Sequence, residues 1–257
     1  MDSSGKTLHD EWSEDDEPAW WEEYDDSSYD FGPMLPDPAV PFRYAYSMGG
    51  GCFVAKSMAK NGLRKASGPF DYMVATPALV AHCLADDFKS FLDVTRVFKE
   101  KAGFGHYNLS THANREHYGA LFKHYTLADW ETALPSRVQR FRNALRKPER
   151  KLLIAGCKGQ MVPADVDLLF RALIGFGCYF FDLVILNVVG SESGDAKVLN
   201  SSFSLSINRN GWERIITCRF SLSGELVGAT LCGAGDKRKL SELFSLMPKY
   251  LASYEEL

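Results

Sequence analysis

The sequence predicts an α/β domain built on a mixed sheet, with a parallel βαβ core, later antiparallel strands and helices packed on it. Three observations carry this. "KLLIAG" and "DLVILNVV" are short apolar runs, and between them Val166, Leu169, Phe170 and Leu173 recur at helical spacing. Strand, helix and strand of these lengths make a βαβ unit, whose two strands pair in parallel. Three further β-type runs, "FSLSI", "ERIITCRF" and "LVGATL", then follow in close succession.

The elements can be justified in chain order. Residues 1–40 hold 13 acidic residues against one lysine, net −12, within a chain whose total is −4; the remainder is therefore basic, at +8. "DEWSEDDEPAWWEEYDDSSYDFG" has neither helical nor strand period. It reads as an acidic, aromatic-studded disordered tail, able to dock on a protein partner or on its own basic domain. The folded domain is expected from about Pro41. After Cys52, Val54, Ala55, Met58 and Ala59 form a helical stripe, with Gly62 placed to stop it. Thr76-Pro77 is an N-cap followed by a proline at the first helical position, opening a helix to about Leu84. Val138, Phe141 and Leu145 form a stripe flanked by Arg137, Arg140, Arg142 and Arg146, and Lys147-Pro148 ends that helix. The βαβ unit follows, its helix stopped by Gly175 and Gly177. Ser223-Gly224 is expected to turn a hairpin between the last two strands, and a helix from about Asp236 to Ser253 closes the chain.

Composition bounds the function. At 257 residues and 46% apolar the chain can bury a core of one domain. No run approaches the ~18–20 apolar residues that span a bilayer, and the N-terminus lacks a secretory pattern, so a cytoplasmic protein without a membrane span is expected. Six cysteines, at 52, 83, 157, 178, 218 and 232, are scattered without a CxxC pair. They read as reduced, separately buried thiols rather than disulfides or zinc ligands. Neither a nucleic-acid partner nor a cofactor is expected.

The chemistry concentrates in "YSMGGGCFVAKSMAKNGLRKASGPFDYM", residues 46–73. Three contiguous glycines match neither GxxxxGK[ST] nor GxGxxG, and the order of the "VAK" and "DFG" fragments is wrong for a kinase. A thiol at the first turn of a helix has better physics. Unpaired N–H groups and the helix dipole favour a thiolate there. Gly50 and Gly51 would leave room at the surface for a substrate backbone and for main-chain donors facing an oxyanion. A cysteine nucleophile needs a base, normally histidine. His106, His112, His117 and His124 cluster within "GHYNLSTHANREHYGALFKHY", without HExxH or another metal-ligand spacing, so no metal is expected. His82 reads as a packed or surface histidine.

This stretch resembles the opening motif of a bacterial family of putative papain-like cysteine peptidases (DUF1796): Ser47, Gly49, Cys52, Ala55, Leu63, Arg64, then Pro69, Phe70, Asp71 and Tyr72. "LFKHY", "SRVQRFRNAL" and "KLLIAG" follow in the family's order, and the likeness covers roughly residues 44–190. Tyr125 stands where the family tends to have Asp, and Arg137-Val138 replaces paired arginines. The resemblance implies a Cys52 nucleophile and a histidine base, His124 or, equally, His112. It also brings a papain-like α+β fold into view as the second choice of architecture. Asp71 or Asn187 would orient the base, and Arg64 would either bind a substrate carboxylate or pair with Asp71. Two functions are therefore expected to compete. One is a thiol hydrolase or acyltransferase acting on a peptide, amide or ester. The other is a catalytically silent interaction module in a polysaccharide or host-interaction setting, recruited by the acidic tail. In the first, a histidine nitrogen is expected within about 4 Å of the Cys52 sulfur.

Overall fold

The computed structural model describes residues 42–100, 103–110, 121–122, 125–158, 161–189, 202–210, 213–221, 226–227, 230–231 and 234–253, all within the unit Leu35–Leu257. The acidic segment 1–40 lies outside the described residues, as do His112, His117, His124 and Cys232.

The chain opens with β1 (Tyr44–Ser47) and α1 (Cys52–Lys60), then β2 (Met73–Val74) and α2 (Pro77–Ala85). A 3-10 turn at Val94–Arg96 leads into β3 (Val97–Glu100), β4 (Gly103–His106), α3 (Tyr107–Ser110), β5 (Leu121–Phe122), α4 (Leu127–Glu131) and α5 (Ala133–Leu145). The regular half follows: β6 (Lys151–Lys158), α6 (Pro163–Phe176), β7 (Phe181–Val189), β8 (Ser202–Asn210) and β9 (Glu213–Ser221). β10 (Leu226–Val227), β11 (Thr230–Leu231) and α7 (Ala234–Ser253) complete it.

The helix boundaries follow the local chemistry. Thr76 Oγ1 accepts a hydrogen bond from the Leu79 N–H at 3.2 Å, capping α2 ahead of its first-turn proline. α1 ends in a Schellman arrangement: the Gly62 N–H donates to the Ala59 carbonyl and the Leu63 N–H to the Met58 carbonyl, with Gly62 at φ 69°. α6 runs through Gly175 and stops at Gly177, which is left-handed at φ 88°.

The main sheet has the order β1-β6-β7-β9-β8, parallel across its first four strands, with β8 antiparallel to β9 at the edge. Both of its faces are buried along β6 and β7, as central parallel strands require. Leu153, Ala155, Leu183 and Ile185 face a core shared with α2, α5 and α6. Leu152, Ile154, Val184 and Leu186 face the other, shared with α1 and α7. This is the α/β architecture with a parallel βαβ core and helices on the sheet that the sequence predicts. No described helix is long and apolar enough to cross a membrane.

Three features differ from the sequence-based expectation. β1 was not anticipated; it pairs with β6, a strand more than a hundred residues away. A second, antiparallel sheet of order β2-β5-β4-β3 was also missed, because its strands are two to four residues long, too short to show a period. "LVGATL" is not one strand hairpinned to β9. It folds on itself as β10 and β11, with Leu226 opposite Leu231, because both edges of β9 are already taken by β7 and β8.

Candidate active site

Cys52 is the first residue of α1 and is buried, at 5% exposure. It stands just past the carboxyl end of β1, after three glycines at φ 92°, 89° and 94°. Gly51, the N-cap, combines φ 94° with ψ 173°, a conformation essentially reserved for glycine. No side chain caps α1, and its first turn holds no acidic residue. α4 differs, with a capping box between Thr126 and Asp129. The partial positive charge of the α1 N-terminus thus faces Cys52 without a side-chain anion in its first turn.

The glycines serve a close approach of chain to chain. The Gly49 carbonyl accepts from the Gly156 N–H, and the Gly50 N–H donates to the Ala75 carbonyl at 3.1 Å. A Cβ on Gly50 would lie 1.8 Å from the Gly156 oxygen, and one on Gly49 would lie 2.7 Å from the Ala75 Cβ. Gly156 reciprocates: a Cβ there would meet Val54 Cγ2 at 2.5 Å and Phe53 Cζ at 2.8 Å. The first turn of α1 therefore rests directly on β6. This corrects the expectation of open surface at the glycines. The room at Gly50 is filled by the chain's own backbone, and Gly51 is buried.

α1 leaves β1 toward one face of the sheet, whereas α6 leaves the adjacent β6 toward the other. Such divergence opens a crevice outside the carboxyl ends of two parallel strands, the usual place for ligands in open α/β sheets. Cys52 opens α1 just past β1, whereas Cys157 and Asn187 lie side by side near the carboxyl ends of β6 and β7, on the face of the sheet that α6 covers. Asn187, 7% exposed, accepts at Oδ1 from the Met161 N–H at 2.9 Å and from the Cys157 thiol at 3.3 Å.

Arg64 and Asp71 are joined to each other. The Arg64 N–H donates to the Met58 carbonyl, and its guanidinium pairs with Asp71, which also accepts from the Gly68 N–H at 3.0 Å. Arg64 further reaches the Tyr72 hydroxyl at 3.0 Å. The Arg64 side chain is 9% exposed and that of Asp71 not at all. Burial pushes the Asp71 carboxyl upward, opposed by the Arg64 charge and the Gly68 N–H. Burial disfavours the Arg64 charge, but Asp71 and Tyr72 outweigh it. The turn that Asp71 holds comes back against β1, since a Cβ on Gly68 would lie 3.0 Å from the Tyr46 ring.

The expected contact of His124 or His112 with Cys52 falls on residues outside the described set. His106, on β4, is fully buried and donates from Nε2 to the Asp93 carbonyl at 3.0 Å; burial holds its pKa below the usual value. His82 is partly exposed on α2, 3.8 Å from Asp86. Among the described residues no cluster of His, Cys, Asp or Glu could hold a metal ion. The described cysteines form no disulfide. Burial raises the Cys157 thiol to about 11 and, with smaller charge effects at Cys178, raises Cys178 and Cys218 to about 12. Cys83 is pushed well up, first by burial and then by Asp86.

Sequence reasoning singled out Cys52 and Asn187 but missed Cys157 and Gly156. The usable signal was a small residue next to a polar one at the end of an otherwise apolar strand, in "LLIAGCK".

A family model described as "Putative papain-like cysteine peptidase (DUF1796)" matches residues 43–173. No curated protein and no solved structure matches the chain.

Proposed function

We propose, from the premise that the chain belongs to this DUF1796 family of putative papain-like cysteine peptidases, that it is a thiol hydrolase or acyltransferase with Cys52 as nucleophile. The observation that carries the reading is Cys52 at the N-terminus of α1, without a side-chain cap and just past the carboxyl end of β1. The thiolate attacks the carbonyl carbon of an amide or ester, the π electrons moving to oxygen. The N–H groups of Gly51 and Cys52 are the donors for that oxyanion. Collapse expels the amine or alcohol, which takes a proton from the histidine that received the thiol's, His124 or His112. Water, or a second nucleophile in the acyltransferase case, then releases the acyl group. In this scheme Arg64 and Asp71 hold the frame rather than the substrate.

Alkylation with iodoacetamide at pH 7 tests the reading, with each cysteine followed by mass spectrometry. A thiol with a pKa near 11 holds only about one part in ten thousand as thiolate at that pH. Cys52 is expected to react at least tenfold faster than Cys157, although Cys157 is the more exposed, and His124→Ala or His112→Ala should shift the pH profile of Cys52 alone. Cys157 reacting first, or an inert Cys52 in the folded protein, would overturn it.

A further inference from the structure

We infer that the outer edge of β8 is a self-association surface, on which a second copy of this chain pairs antiparallel to form a symmetric dimer. The inference stands apart from the Cys52 chemistry.

A sheet edge presents a row of N–H and C=O groups to whatever strand can take them, and folds guard such edges. The other edges here are guarded by brevity or charge. β1 is four residues long and β2 two, and β3 has four, with Lys99 and Glu100 among them. β8 is the exception. It runs for nine residues, and among the described residues its only strand neighbour is β9. The ladder between them matches residue to residue from Ser202↔Ser221 to Asn210↔Glu213, without a bulge to turn the edge away. "SFSLSINRN" holds no proline, lysine or acidic residue, and Arg209 is its one charge. Asn208 is exposed. A long, regular and almost uncharged edge is what a pairing strand requires.

The sequence of β8 selects the occupant. Polar residues hold every even position from Ser202 to Asn210, while Phe203, Leu205 and Ile207 hold odd ones. A two-fold axis through Ser206 pairs all nine residues with those of a second copy. It sets Leu205 opposite Ile207, Ser204 opposite Asn208 and Arg209 opposite Phe203. Polar positions meet polar ones, and the two arginines lie ~20 Å apart along the strands. A slip of one residue would set polar positions against apolar ones throughout. Parallel pairing in register would bring Arg209 beside Arg209, like charge against like. The two-fold arrangement is also closed. It joins two five-stranded sheets through both β8 edges and leaves only the short β1 at either end, so it does not propagate into a fibre.

Sedimentation equilibrium of the full chain tests this, with twice the mass of one chain expected. Ser206→Glu and Ser206→Lys each put like charges opposite one another on the axis, and each should weaken the dimer about fivefold. Mixing the two variants sets Glu against Lys and should restore it. Ser206→Cys, a smaller change, fixes the register. Residues opposite one another in an antiparallel pair have Cα atoms ~4.5–5.5 Å apart, within the span of a disulfide. With diamide as oxidant, which takes up the two thiol hydrogens, this variant should give a disulfide-linked dimer that the wild type does not. Ser202→Cys, set opposite Asn210, should not. A monomeric wild type overturns the assignment. So does a dimer that neither charge variant weakens while circular dichroism shows both folded, or a Ser206→Cys variant that does not cross-link.

Discussion

The stretch between β1 and β6, residues 48–150, and the stretch from β6 to β9, residues 151–221, are stabilised in different ways. The second is a run of long ladders in which alternate side chains feed two cores, and its single described helix lies between two parallel strands. The first has short strands and is held by side chains: Phe141 packs edge-on against Phe70 and Phe88, and against Tyr46 of β1, at ring distances of 4.9–6.0 Å, and Phe122 lies tilted against Trp130 at 4.6 Å. The site begins in the irregular stretch and is completed by the regular one. Periodic structure supplies a floor, and irregular structure places a reactive group on it.

The largest expected effect sets glycine against glycine. Gly50→Ala puts a Cβ 1.8 Å from the Gly156 oxygen at positive φ, and should remove more than about 4 kcal/mol of stability or prevent cooperative folding. Gly175→Ala, inside α6 with open space around its Cβ, should instead stabilise by about 0.5–1 kcal/mol. Urea unfolding of both measures the contrast, and equal signs would break it.

Next come the buried carboxylates, one in each stretch. Asp182 bridges Arg150 and Arg214, with contacts of 2.8 Å and 2.6 Å, as Asp71 holds Arg64 and the Gly68 turn. Asp71→Ala and Asp182→Ala should each cost about 3–5 kcal/mol, because each removes the carboxylate that balances a largely buried guanidinium. The double change Arg64→Met with Asp71→Leu should recover most of the loss. A cost below about 1 kcal/mol for Asp71→Ala would show that the irregular stretch does not depend on its polar clamp.

The smallest effect is a pH dependence confined to the irregular stretch. His106 is held below its usual value of 6.5 by burial, so the folded state binds this proton less readily than the unfolded state. Above that value both states are neutral here and nothing is lost; as pH falls through it, the unfolded state gains a proton and stability drops. The stability gap between wild type and His106→Gln should therefore narrow from pH 7.5 to pH 5.5. A gap that widens would reverse the assignment.

Much of the regular stretch, and the longest helix of the irregular one, was legible in the sequence, and particular residues show why. Leu153, Val184 and their neighbours announce strands by composition, and Val138, Phe141 and Leu145 announce α5 by spacing, because those signals are local. "YAYS" announces nothing, since β1 is defined by its pairing with Lys151–Ile154. At the site, Cys52 at a helix start could be read from the glycines before it. That Gly50 is glycine because of Gly156 could not, since the reason lies across the sheet. Asn187 stood out as polar, but its fixed direction depends on Met161 and Cys157, which only the fold brings together.

The pairing of β1 with β6 also has a kinetic meaning. Closing a loop of more than a hundred residues costs more entropy than closing the β6–β7 connection of about thirty, so the parallel β6–α6–β7 unit has the shorter route to native contacts. β1 then docks as a late edge, and with it the glycines settle onto Gly156 and α1 acquires its seat. On that order the thiol is expected to stay open to solvent until β1 joins, so pulsed alkylation during refolding should label Cys52 before the native signal appears.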